Sequence, residues 1–161
     1  MSGQPVLRLP VGARGDVRSC NVLVRPHFLA YNEFFKRGTL QLMMTLDDFF
    51  SGQGESRELF EAVRRAVDEI GPAEVRVTKS QVAFCRRKAF AWVWMPSQYL
   101  RRKAAPLVLT LGFRYRNNSP RWKKIVEPYP GRFTHHLELH STTEVDDEVR
   151  RWLREAWMSA E

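Results

Sequence analysis

The chain has 161 residues, 43% hydrophobic and 27% charged, a size that fits one domain and a composition too apolar for a wholly disordered polymer. Its formal net charge of +8 is unevenly spread: Glu74 to Arg132 holds 14 Lys or Arg against two acids, a local net of +12, so the remainder is acidic. Clustered cations raise the local potential and favour an anionic partner, and no segment approaches the ~20 apolar residues that a membrane-spanning helix needs.

In chain order, Met1 to Pro10 lacks the apolar core and small-residue cleavage site of a secretory signal, which predicts a cytoplasmic protein. Residues 1–40 read as an N-terminal extension, partly mobile, with a short strand at Val22 to Val24 and a short helix after Pro26 that Gly38 ends. Residues 41–161 read as a single α+β domain. Thr45-Leu46-Asp47-Asp48 has capping-box spacing and opens a short helix through Phe50. Leu59, Val63, Ala66, Val67 and Ile70 then recur at three and four residues, predicting an amphipathic helix over 55–70 that Gly71-Pro72 terminates.

The period next switches to two, as half-buried strands require. Strands are expected at Glu74 to Val77, Val82 to Arg86, Phe90 to Met95, Leu107 to Phe113 and Arg132 to His140. Trp92 and Trp94, alternating with smaller residues, read as core-facing. Arg116 to Pro130 contains three prolines and reads as a long loop with at most a short strand at Lys124 to Val126. Ser141-Thr142-Thr143-Glu144 has the spacing of a second capping box, followed by Val145, Val149, Trp152, Leu153 and Ala156 at helical intervals, so the chain should close with a helix over 142–158. Runs of strands followed by a helix point to an α+β fold, a mostly antiparallel sheet of about five strands covered by helices on one face.

With these elements in place, the chain from about 45 to 160 resembles the small bacterial DUF5655 family. The resemblance lies in Thr45-Leu46-Asp47-Asp48-Phe49-Phe50, Val77-Thr78-Lys79-Ser80-Gln81-Val82-Ala83-Phe84, Phe90-Ala91-Trp92-Val93-Trp94, Pro130-Gly131-Arg132, His135-His136 and Val145-Asp146-Asp147-Glu148-Val149. It implies a compact α+β module and carries no agreed activity.

Three constellations bear on function. The basic region offers Lys79, Arg86, Arg87, Lys88, Arg114, Arg116, Lys123 and Lys124 as anion-binding residues, interleaved with aromatic side chains on which bases stack. The bland alternative is solvated turns. His136, Glu138 and His140, spaced by two, would project from one strand face, a pattern that presents two imidazoles and a carboxylate to a divalent metal such as zinc; equally, they form a polar strand surface. His135 faces the other way and reads as a core histidine. A protein-interaction module anchored by tryptophans is a third reading.

Nothing specifies a catalytic residue. The two cysteines, Cys20 and Cys85, are too few for a disulfide framework, and Cys85 sits in an apolar strand where it packs rather than reacts. Ser80 and Ser119 have no nucleophile elbow, and Gly12-Ala13-Arg14-Gly15 lacks the Lys-Ser/Thr of a phosphate loop. The reading is a binding module for nucleic acid or a phosphorylated ligand, with no cofactor unless the histidine strand holds a metal.

Overall fold

The computed structural model describes residues 44–99 and 104–161. The elements expected before residue 41 lie outside the described residues. Two helices open the described chain, α1 (Leu46–Phe49) and α2 (Gly54–Asp68), followed by β1 (Glu74–Val77), β2 (Val82–Cys85), β3 (Ala89–Trp94), β4 (Leu107–Phe113), β5 (Lys124–Tyr129), β6 (Arg132–Leu139) and the closing helix α3 (Asp147–Met158). The six strands form one sheet in the order β1-β2-β3-β4-β6-β5, with every neighbouring pair antiparallel. The fold is α+β.

α1 begins where the Thr45 hydroxyl accepts the Asp48 N–H at 3.1 Å while the Asp48 carboxylate accepts the Thr45 N–H at 3.0 Å. This reciprocal cap satisfies two helix-end donors and holds the Asp48 carboxyl below its ordinary range, first through the Thr45 hydroxyl and then through the Thr45 backbone. The second expected capping box does not form. Ser141 makes no side-chain cap; Thr142–Glu144 is a single 3-10 turn, and the Glu144 carboxylate accepts the His140 N–H at 2.7 Å. Asp146 caps α3 instead, accepting the Val149 N–H at 3.1 Å, and Arg121 clamps it with Glu148. The acids at 146–148 also suit the positive end of the helix dipole.

α2 and α3 pack on one face of the sheet. α2 buries Leu59, Phe60, Val63, Ala66 and Val67, α3 buries Val149, Trp152, Leu153 and Ala156, and the strands answer with Val82, Phe84, Ala91, Val93, Leu109, Leu111, Leu137 and Leu139. An aromatic row, Phe49, Phe50, Phe60, Phe84 and Phe90, with successive ring centroids 4.8 to 6.4 Å apart, ties α1 and α2 to β2 and β3.

Two strand expectations change. Ala91 and Val93, not the tryptophans, pair in register with Leu111 and Leu109 on the face that α2 and α3 cover, so Trp92 and Trp94 lie on the opposite face with Thr110 and Val108, where Trp92 is nevertheless buried. Phe90 nonetheless joins the core, because a bulge near Cys85 shifts the register and sets two β3 residues, Ala89 and Phe90, against one on β2. The segment expected to be mainly loop contains a sixth strand. β5 is an edge strand with an irregular register between Val126 and Tyr129, which accommodates Pro128, since an edge proline need not donate to the ladder.

Candidate functional site

The antiparallel sheet brings three connections to one end. The β2–β3 turn supplies Lys88, the last residues of β4 lead into Arg114, and the β5–β6 hairpin supplies Tyr129 and Arg132. That hairpin turns through Pro130 and Gly131, and Gly131 has φ +71°, the left-handed conformation that glycine adopts without strain and that the second central position of a type II turn requires. Its N–H donates to the Glu127 carboxylate at 2.9 Å, fixing the tip.

Between these connections lies a cleft of about 90 Å³. Gly112, Trp92 and Thr134 form its floor, Lys88, Arg114, Arg132, Pro128 and Tyr129 its rim, and Ala156, Ser159 and Ala160 from the end of the C-terminal helix close one side. Gly112 matters because it has no side chain. A Cβ built there would meet the Trp92 ring at 3.7 Å, an ordinary contact, so glycine keeps the cleft open rather than relieving a clash. No Asp or Glu among the described residues lines the cleft.

The eight basic residues singled out from sequence do not form one patch. Lys88 and Arg114 line the cleft. Arg86 and Arg87 belong to the same β2–β3 turn, where the Arg87 and Lys88 N–H groups donate to the Ala160 carbonyl at 3.2 and 3.3 Å and so tie the turn to the chain just beyond α3. Arg86 is committed: its guanidinium lies 3.8 Å from the Trp157 ring centroid and 2.7 Å from the Glu161 carboxylate. Lys88 Nζ sits 3.3 Å from the Glu161 main-chain oxygen. Arg116 is exposed just beyond the cleft, in the loop that leads to Asn117. Lys123 and Lys124 open β5, where Lys123 faces Glu138 at 3.4 Å and Lys124 lies in register with His136. Lys79 lies in the β1–β2 turn at the other end of the sheet. Arg132, absent from the residues that charge clustering singles out, completes the cleft. The signal for it is its place beside Pro130-Gly131, since a Pro-Gly turn puts the next residue at a hairpin mouth.

His136 and Glu138 share the sheet face opposite α2 and α3, His140 follows the end of β6, and the three are engaged separately. Trp94 Nε1 donates to the Thr110 hydroxyl at 3.1 Å, and that hydroxyl lies 2.9 Å from His136 Nδ1. All three groups are satisfied when Thr110 donates to a neutral His136. Burial, reinforced by Lys124, pushes the His136 pKa down to about 4. Glu138 meets Lys123, with His140 Nε2 at 4.0 Å. Among the described residues, no three His, Cys, Asp or Glu side chains come together as a metal-binding set.

His135 is a core histidine, 0% exposed and ringed by Phe113, Trp122 and Phe133. Its Nε2 accepts the Asn117 N–H at 2.9 Å, while Nδ1 has no hydrogen-bond partner among the described residues. Burial first, then the charges of Arg116 and His136, push its pKa down to about 4. Cys85 is a buried thiol at the end of β2. Among the described residues, no helix is long and apolar enough to cross a membrane.

No curated protein and no solved structure matches the chain. A family model does match, over residues 46–160, from the first residue of α1 to the residue whose carbonyl caps the β2–β3 turn. By that match the chain belongs to the family described as a domain of unknown function, DUF5655.

Proposed function

We propose that the chain is a binding module for an anionic ligand, nucleic acid or a phosphorylated molecule, held at the end of the sheet by Lys88, Arg114 and Arg132. The observation that carries this reading is the cleft itself, with three cations from three separate connections on its rim and no carboxylate among the described residues that line it. Arg114 and Arg132 are exposed and have no carboxylate partner among the described residues, unlike Arg86 and Arg121, which are already paired. A cation held on a rigid strand end near others, without its own counter-ion, is arranged to accept one.

The test is fluorescence-polarisation binding of a labelled oligonucleotide across a range of salt. Three phosphate contacts to a single strand give a slope of log K against log salt of about −2. Replacing both arginines, Arg114→Ala with Arg132→Ala, is expected to bring the slope below about −1 in magnitude and weaken binding at least about tenfold. Both positions are exposed, so the fold should survive, which circular dichroism checks. Wild-type protein that fails to bind even at low salt would remove the reading.

A further inference from the structure

Resting on that reading, we infer that the ligand is single-stranded nucleic acid, with one base stacked on Tyr129 and its flanking phosphates held by Arg114 and Arg132. Tyr129 is 50% exposed and lies on the rim of the cleft, opposite Arg132 in the hairpin register. A ring exposed beside two arginines that have no carboxylate partner among the described residues is the pairing that single-strand binders use, because bases offer a π-face and the backbone offers charge. A bare polyanion would gain nothing from the ring.

The geometry also disfavours a duplex. The β5–β6 hairpin extends only from the Phe113–Phe133 level to the Tyr129–Arg132 pair and its two-residue turn. One further residue pair adds roughly 3.4 Å of strand, against a major groove about 8.5 Å deep, so the hairpin cannot reach base edges there. An unpaired strand does not need that reach, since its bases turn outward to meet an exposed ring. Gly112 supplies the clearance beneath the bound nucleotide.

The experiment compares, at equal salt and equal phosphate number, a single-stranded oligonucleotide, the corresponding duplex and inorganic polyphosphate, using wild type, Tyr129→Ala, Tyr129→Phe and Gly112→Ala. The expected result is at least about tenfold preference for the single strand, a loss of at least about fivefold in Tyr129→Ala, retention in Tyr129→Phe, and weaker binding in Gly112→Ala, which keeps every charge. Equal or tighter binding of duplex or polyphosphate, or indifference to Tyr129→Ala, overturns this inference while leaving the anion reading in place. If none of the three probes binds at low salt, both fall.

Discussion

Lowering the pH from 6.5 toward 4 is expected to destabilise the fold, and His135 is the main reason. Its folded pKa is depressed from 6.5 to about 4, so the unfolded chain takes up the proton more readily across that window. The stability it contributes is therefore fully present above pH 6.5 and is lost as the pH falls through the folded value. A tenfold difference in proton affinity between the folded and unfolded chain is worth about 1.4 kcal/mol, so His135 alone accounts for a change on the order of 3 kcal/mol. The cause is structural: Nε2 is the acceptor for the Asn117 N–H, and a proton there would set two donors against each other inside an aromatic cage. His136 acts in the same direction, reduced because it retains some exposure. Asp146 follows a different course. Burial raises its pKa, yet the Arg121 guanidinium and the Val149 N–H outweigh that and hold it below 3.8, so its contribution persists until the pH falls lower still.

Urea unfolding at pH 7, 5.5 and 4.5 measures this directly. His135→Phe should flatten the dependence, although at pH 7 it leaves the Asn117 N–H without its acceptor and costs about 1–3 kcal/mol. A stability that does not change between pH 6.5 and 4.5 would show that the buried imidazole is not the titrating group.

Phe60→Ala should be the most damaging single truncation, costing about 3–5 kcal/mol. Phe60 is 0% exposed and stands between Phe50 and Phe84, with ring centroids 5.1 and 5.8 Å away. Its removal opens a cavity where α1, α2 and β2 meet and breaks the aromatic row at its centre. Against a typical net stability of about 5–15 kcal/mol, that is a large share of the total. Phe60→Leu, which retains much of the volume, should cost clearly less, and the midpoints of chemical denaturation for the two variants give the comparison. Equal, small losses in both would mean that the site collapses around the vacancy or that the row is not what couples these elements.

Most of the architecture is legible in the sequence because its signals are local. The Thr45–Asp48 cap, the α2 stripe and the β4 alternation each follow from a few residues, and Leu107 to Phe113 has the expected ends. What differs from expectation depends on long-range pairing. Alternation separates the two faces of β3 but does not say which face the helices cover, and Trp92 and Trp94 fall on the other side from the one their size suggests. The Phe90 bulge exists only relative to β2. Pro128 makes β5 resemble a loop, because proline is excluded from central strands but tolerated at an edge, and edge position is not written in local sequence. At Ser141 to Glu144 the spacing suits a cap, but Asp146 competes for the same helix start and wins with Arg121 behind it.

The candidate site is half legible for the same reason. Charge density between Glu74 and Arg132 marks the region, yet only Lys88 and Arg114 of the eight expected cations line the cleft. Antiparallel pairing decides which turns meet, and it sends the Lys79 turn to the opposite end while bringing Arg132 in.

Where the ligand binds is the most direct test of the cleft as the functional site. Backbone amide shifts of isotope-labelled protein, titrated with a short single-stranded oligonucleotide at low salt, report it residue by residue. Perturbations should concentrate at Lys88 to Trp92, Gly112 to Arg114, Tyr129 to Thr134 and the end of α3. Perturbations centred on Lys79 or on Lys123 and Lys124, with the cleft amides unmoved, would contradict it.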